Sequence, residues 1–581
     1  MAQAEHLDKL AAEEIPKVEM SLPEFEEKEA FRQRLEGVLR RTFDERYSGD
    51  IATISLVGFG SLASGFAMPG SDMDLAVVAG WKDASHAERT GVDRDLPRLL
   101  ENAVLDAKMG GRLLTRTRVP ILKVCEAPTE TLYTALSEER KKWDELPGEE
   151  QYPTDAPVVP SSVPKPPIHV DGQKSADTIH HADSPTFGDD YPQLGAAPSK
   201  KKAPPKPTPT ADVTRTEIPA SPTKPAEAAD KDESPDNAPV DEITMKPPVD
   251  GNAKDAPNKT QQHPHHRNDK NWVREKVLGP LDFPKEGVGI QCDINFDNPL
   301  GIHNTHMLRC YSMTDPRVRP IVLFVKSWAK RRKINSAYSG TLNSYGWVLM
   351  VLHYLVNIAQ PPVCPNLQHA IPSPKDVAQL ENFFKDPVVS GYTVRFWRNE
   401  QEIIQAAHSG RLSLNRQTVG ALLRGFFQYY AGGINYGPRR PQFYWTNEVL
   451  SLRTLGGIRS KQDKGWVSAK TTVTAEKKVT NRYLFAIEDP FELDHNVART
   501  VTHRGIVAIR DEFRRAWRIL DAVGKSMQPE GGIFDEVLDD KPPATPKEEV
   551  KEEVKTMGME DVGVNEGEDG VQRITEAVGG L

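Results

Sequence analysis

Ser71-Asp72-Met73-Asp74-Leu75 sets two carboxylates two residues apart. In an extended strand such residues share a face, so Asp72 and Asp74 converge while Met73, Leu75 and Val77 turn toward a core. Adjacent like charges are costly until a cation neutralises them, and hard oxygen ligands of this kind suit Mg²⁺ or Mn²⁺. A third carboxylate follows in GVGIQCDINFDN, where Ile290, Cys292, Ile294 and Phe296 alternate with Gln291, Asp293 and Asn295. Asp293 therefore projects from the polar face of a second half-buried strand. Three carboxylates from two strands could hold two metals about 3.5–4 Å apart, the clamp that stabilises attacking and leaving oxygens in phosphoryl or nucleotidyl transfer. Upstream, Gly60-Ser61 follows a short apolar strand and a turn glycine. Glycine lets the backbone approach a phosphate, and Ser61 offers a hydroxyl and an N–H to the same oxygens. A D-x-D alone is a common strand pattern; its combination with Gly-Ser and a later strand aspartate is what points to metal chemistry.

Several elements must position these groups. Strands are expected over 51–58, 73–78 and 119–125. Ahead of them Phe31, Leu35, Val38, Leu39 and Phe43 form one apolar helical stripe. Beyond Asp293, Asp315-Pro316 begins a helix whose stripe is Ile321, Phe324, Val325 and Trp328, with Lys326, Lys330 and Lys333 on another face. Asn343 or Ser344 can cap the next helix, apolar almost all round from Trp347 to Ile358 and so central to its domain. Further helices are expected over 418–431 and 504–523.

Composition bounds the rest. The 581 residues exceed a single core, yet only 38% are hydrophobic and 47 are proline. Residues 150–270 hold 22 of those prolines, no tryptophan and one phenylalanine, Phe187. A stretch like that cannot offset its ordering entropy and reads as disordered. The net charge of −9 excludes a protein held to nucleic acid by bulk charge, leaving a local basic groove open. Four scattered cysteines indicate neither a disulfide framework nor a zinc cluster. The acidic start lacks an apolar targeting core, and Trp347–Ile358 is too short to span a bilayer, so a reduced intracellular compartment is expected.

GFGS-x10-DMD is similar to the nucleotidyltransferase signature of the polymerase-β superfamily. The stretches SDMDLAVV, GIQCDINFDNPLGIHNT, KSWAKRRKINSAYSGTLNSYGWVLMVLHYLV and AIEDPFELDHNVARTV resemble the noncanonical poly(A)/poly(U) polymerases, nearest the fungal cytoplasmic terminal uridylyltransferases of the caffeine-induced-death group. The resemblance covers about 23–127 and 272–525. It implies an α+β fold: a polymerase-β-like mixed sheet plus a mainly helical PAP-associated central domain, with a long disordered insertion and tails. The expected division is a disordered tail over 1–22, then a helix over 23–50 packing on the central domain. A discontinuous catalytic domain would occupy 51–127 and 272–298, around a Pro-rich insertion over 128–271. The central domain would run over 299–525 with a nucleotide-recognition loop at 487–496, followed by an acidic tail over 526–581.

For the site, the resemblance implies that Asp72, Asp74 and Asp293 are catalytic and hold two Mg²⁺ or Mn²⁺ ions. Gly60, Ser61, Lys326, Lys330 and Ser344 would meet the triphosphate. Asn304 would contact ribose and uracil O2, Tyr345 would stack on the base, and Asp489 would accept uracil N3–H with Glu492 in support. His495 would donate to uracil O4 and favour UTP. Without a recognisable RNA-binding module, the RNA 3′ end would be held by basic surface including Arg331, Arg332, Arg514 and Arg515. The implied activity is template-independent, UTP-dependent extension of RNA 3′ ends. A cytoplasmic poly(A) polymerase using ATP is the first alternative and an inactive RNA-decay scaffold the second. The expected protein is a monomer, cytoplasmic with nuclear entry left open and without a membrane anchor, able to recruit protein partners through its Pro-rich insertion.

Overall fold

The computed structural model describes residues 1–86, 91–115, 120–147, 151, 278–374, 385–432, 441–473, 478–525 and 527–537. All belong to one of two compact units; the other, Pro166–His266, lies outside the described residues, as does most of the expected insertion. Among the described residues no helix is long and apolar enough to cross a membrane.

Five strands form one mixed sheet in the order β1 (Ile51–Phe59), β2 (Met73–Trp81), β5 (Gln291–Asn295), β4 (Ile121–Cys125), β3 (Gly110–Leu114). Only β2 and β5 run parallel. Their inward residues, Met73, Leu75, Val77, Cys292 and Ile294, share a core with helices α2 (Leu22–Arg46) and α4 (Leu96–Asp106). Ser21 caps α2 by accepting from Glu24 N–H, and Phe31, Leu35, Leu39 and Phe43 are its buried face. That stripe packs on the sheet and not, as the sequence suggested, on the central domain. The partner of the central domain is the segment expected to be a tail.

Residues Ala2–Val18 form helix α1, with Leu7 and Ala11 in the helical core. Composition hides it, because Leu7, Ala11 and Val18 stand among many charged residues and the buried Glu14 has remote partners. Asp8 accepts from Thr418 Oγ1 at 2.7 Å and from Gly420 N–H at 2.6 Å. A Cβ on Gly420 would strike the α1 backbone, so the absent side chain is what lets the two helices touch. Two other limits also shift. Helix α5 (Glu130–Asp144), capped by Thr129, buries Leu132 and Leu136 beside the sheet, so the folded domain runs past 127. At the other end Ile533 is buried and Phe534 packs edge-on to Phe324, so order continues past 525.

The helical part is built on α6 (Pro299–Thr314), α7 (Val318–Arg331), α8 (Ser344–His353, continuing as a π turn over Tyr354–Ile358), α9 (Glu400–His408), α10 (Val419–Ala431) and α11 (His503–Ala522). Trp328, Trp347, Phe427 and Phe513 interlock at its centre with ring centroids 5.0–6.2 Å apart. Such pairs add about 0.5–1.5 kcal/mol each beyond burial.

Candidate active site

Sheet register puts the carboxylates abreast. Asp74 on β2 lies opposite Asp293 on β5, which lies opposite Lys123 on β4. Lys123 Nζ stands 2.5 Å from Asp293 Oδ1. Burial, then the charges of Asp293 and Asp72, push Asp74 up to about 7. Asp72, just before β2, is raised by burial and then by Asp293. These are three like charges with Lys123 in contact and Lys28, Lys285 and Lys326 acting from further off, a donor set that a divalent cation fits. Lys123 was not singled out from the sequence. Its signal is a polar residue at an alternate position of the apolar run Ile121–Cys125.

Gly60, φ +73°, closes β1 onto this row, and a Cβ there would run into the Asp74 carboxylate. Its N–H donates to Thr305 Oγ1 at 2.8 Å, pinning the Gly60-Ser61 turn to α6. Ser61 is partly exposed in the short turn α3 (Gly60–Ala63) that follows. On α7, Lys326 is buried and donates to Phe66 O at 2.6 Å, while Lys330, one turn on, is exposed. Burial, then Lys330, lowers Lys326 to about 8, with Asp74 acting in the opposite sense. Lys326 thus lies near enough to Asp74 for the two charges to act on each other, whereas Lys330 lines a depression with Lys17, Met68, Ser327 and Arg331. Glu14 of α1, buried, accepts from Ser327 Oγ at 2.8 Å and Arg331 at 2.5 Å, and so fixes the helix between those lysines. Ser344 exchanges hydrogen bonds with Asn335 at 3.1 and 3.3 Å at the start of α8.

A second cluster, around Asp489, is assembled from three elements. Asp489, buried, accepts from Tyr345 OH at 3.0 Å and Asn304 Nδ2 at 3.2 Å through one oxygen. Its other oxygen takes Phe491 N–H at 2.9 Å and Glu492 N–H at 3.0 Å. Burial comes first among the causes that raise Asp489 above the ordinary carboxylate range, with these hydrogen bonds opposing it. Asn304 Oδ1 is buried with no hydrogen-bond partner among the described residues. His495 is half-buried, its N–H donating to Glu492 O at 2.8 Å and its carbonyl accepting from Asp489 N–H at 3.2 Å. Glu488, also unremarked in the sequence, anchors the segment through Lys464 at 2.7 Å and Ser451 at 2.5 Å. The consecutive residues Asn304 and Thr305 thus tie the Asp489 cluster and the Gly60-Ser61 turn to one helix, which follows directly from β5 and Asp293.

The arginines expected to hold RNA are mostly engaged elsewhere. Arg332 is buried in a fork with Glu512 at 2.8 and 3.1 Å, Arg331 is held by Glu14, and Arg515 donates to Gly532 O at 2.6 Å. Arg514 is half-buried and donates to Asp511 at 3.1 Å. Basic residues at helix seams were mistaken for a solvated surface.

Residues 418–495 match the family described as Cid1 family poly A polymerase. Residues 7–135 and 280–313 match the central palm domain of mitochondrial-like poly(A) RNA polymerase. The chain is 41% identical over 251 residues to the terminal uridylyltransferase cid1 of Schizosaccharomyces pombe, covering 43% of this chain and 55% of that protein. It is 35% identical over 249 residues to poly(A) RNA polymerase GLD2-B of Xenopus laevis, covering 42% and 40%. The matches thus span about half the length of these relatives or less. A solved structure of the Cid1 poly(U) polymerase with MgGTP bound superposes with a TM-score of 0.51 at 26% identity, over 91% of this chain and 99% of that one.

Proposed function

Because the chain belongs to the noncanonical poly(A)/poly(U) polymerase family, we propose that it is a template-independent RNA 3′-terminal uridylyltransferase that adds UMP from UTP. The observation that carries this reading is Asp74 and Asp293 abreast on parallel strands, with Asp74 raised first by burial and then by the charges of Asp293 and Asp72. Asp72, Asp74 and Asp293 would hold two Mg²⁺ or Mn²⁺ ions, which neutralise the carboxylates and polarise the phosphate under attack. Asp293 accepts the proton of the RNA 3′-hydroxyl at Oδ2, the oxygen not shared with Lys123. The 3′-oxygen then bonds to the α-phosphorus as the bond to the β-phosphate oxygen breaks and pyrophosphate leaves. Lys326 and Lys330 meet the triphosphate as point charges, with hydroxyls from Ser61 and Ser344, and Gly60 leaves room for the phosphates.

Asn304 Oδ1, a buried acceptor without a donor, suits a ribose 2′-hydroxyl and so favours ribonucleotides. Tyr345 carries the base. Asp489 already accepts four hydrogens, so it reads uracil N3–H through water beside Glu492. His495 donates to uracil O4, where adenine would present a second donor. Two facing donors leave an unmet hydrogen bond worth about 1–3 kcal/mol. The four buried free cysteines suit the reducing cytoplasm.

A second reading, adenylyl transfer from ATP, draws on the 35% identity to a poly(A) RNA polymerase. Purified protein given a labelled RNA primer, each nucleotide separately, and Mg²⁺ or Mn²⁺ decides. Extension with UTP above ATP supports the first reading, and ATP above UTP the second. No extension with any nucleotide and either metal would sink both.

A further inference from the structure

A groove of about 900 Å³ opens behind the base-reading segment, between the N-terminal part of α11 and the segments around Trp445, Ser460 and Leu484. Its charge is lopsided for a chain of net −9: Lys461, Arg482, His503 and Arg510 line it, and the described lining residues include no Asp or Glu. Lys461 is 5% exposed, and its ammonium donates to Trp445 O at 2.8 Å and Leu484 O at 3.0 Å. Among the described residues no carboxylate pairs with it, so these two carbonyls alone meet a buried positive charge. Arg510 lies below the usual guanidinium range, first through burial and then through the Arg514 charge, with Asp511 opposing. Between these cations the surface is apolar: Val467 is 70%, Val507 42% and Leu484 40% exposed. Tyr483 stands beside them with its ring stacked on Trp466, centroids 5.2 Å apart. Gln462, Asn447 and Ser468 supply exposed amide and hydroxyl groups.

Cations spaced along a groove with apolar and aromatic surface between them match a strand whose phosphates and bases are both accessible, and hydroxyls and amides suit 2′-OH contacts. We propose that this groove binds single-stranded RNA, the stretch of primer upstream of the 3′ end that reaches the aspartates. The proposal rests on the uridylyltransferase reading above for the identity of the polyanion. Leu484, in the groove floor, is five residues before Asp489, so an RNA seated here lies along the same chain segment that reads the base.

The experiment compares a trinucleotide with a single-stranded RNA of about 15 nucleotides, near the upper end of such site sizes. Binding is read by fluorescence anisotropy without nucleotide, and extension with UTP. Arg482→Glu with Arg510→Glu is expected to weaken binding of the long RNA about tenfold and to flatten its log-log salt slope by about 1.4, two phosphate contacts at about 0.7 each. Trinucleotide extension and the KM for UTP should stay within about twofold of wild type, an internal control for folding. The milder pair Arg482→Ala and Arg510→Ala should show the same split at smaller size. Unchanged affinity for the long RNA, or equal losses for both primers, would overturn the proposal. So would a poly-glutamate peptide that wild type binds in preference to the RNA, since the groove would then be a protein-docking site. If wild type extends neither primer, the uridylyltransferase reading fails, and the anisotropy titration still decides the groove.

Discussion

The two ends of the cleft are built on opposite electrostatic plans. At the metal end, like charges are forced together: Asp74 faces Asp293 in register, and its pKa is driven to about 7. At the base end Asp489 is more deeply buried, yet its oxygens accept from Tyr345, Asn304 and two backbone N–H groups. The first arrangement is frustrated until a cation arrives, and the second is satisfied before any nucleotide does. Frustration marks where the protein leaves charge for a ligand to neutralise. Satisfaction marks where it has spent hydrogen bonds on holding a shape.

Replacing one charge at each end should separate the two plans. Asp74→Asn or Asp293→Asn should abolish extension, a loss beyond about 10³-fold, since a nucleotidyl transfer without its metal clamp loses its largest electrostatic contribution. The same Asp74→Asn should raise the melting temperature of metal-free protein above pH 7, because the ionised carboxylate is what the fold disfavours. Asp489→Asn should do the reverse in stability, costing about 1–3 kcal/mol by placing a donor against donors. Calorimetry with EDTA and a primer-extension assay check both. If both variants shift stability in the same direction, the contrast between the ends is wrong.

Gly60→Ala comes next in size. The positive φ costs about 1 kcal/mol or more, and the new methyl displaces the Asp74 carboxylate. A loss of about 10²-fold in kcat with a folded protein is expected, since small misplacements of catalytic groups cost that much. Near wild-type kcat would show that Asp74 need not stand where the turn puts it.

How legible each end was follows from the same contrast. Strand alternation exposed the aspartates, because period-two patterning of Met73, Leu75 and Val77, and of Cys292 and Ile294, survives in a single sequence. Lys123 sits in the same kind of pattern and was readable in principle. The base end was not readable from the residues: Tyr345, Asn304 and Asp489 are separated by up to 185 positions, and only family likeness united them. The α1 helix was hidden for a similar reason. Its hold on α10 depends on a glycine 412 positions away, and its hold on α7 on the buried charge of Glu14, neither of which a hydrophobic stripe announces. Arg331, Arg332 and Arg515 were misread because exposure cannot be inferred from charge when a remote acid is waiting.

His495→Asn sharpens the base end alone. If the imidazole donates to uracil O4, its replacement should lower the UTP-to-ATP preference by roughly 5- to 150-fold, the equivalent of about 1–3 kcal/mol, and leave overall tailing measurable. An unchanged ratio in parallel assays with the two nucleotides would place selectivity elsewhere in the cleft, with Asn304 and Glu492 next to be tested.

The smallest expected effect concerns the lysine that stands between the two plans. Lys326 is buried like Asp489 but has a like charge beside it as Asp74 does, and burial with Lys330 brings it to about 8 against the opposing charge of Asp74. An amine whose pKa is lower folded than unfolded binds fewer protons in the native state. Its burial therefore weighs against folding below about pH 8, and stability rises as pH climbs from there toward the ordinary lysine value of about 10.4. Under the proposed function binding would run the other way, because a triphosphate would need the charged form. The KM for UTP at saturating Mg²⁺ should therefore rise about two- to fivefold from pH 7.5 to 9, with kcat changing less, as loss of a point charge on a ground-state contact predicts. Lys326→Arg, which does not deprotonate in this range, should show a flat profile. A wild-type KM that stays level across that interval would mean that the phosphates do not meet Lys326, and that its bond to Phe66 O holds the α3 turn against α7 for structural reasons alone.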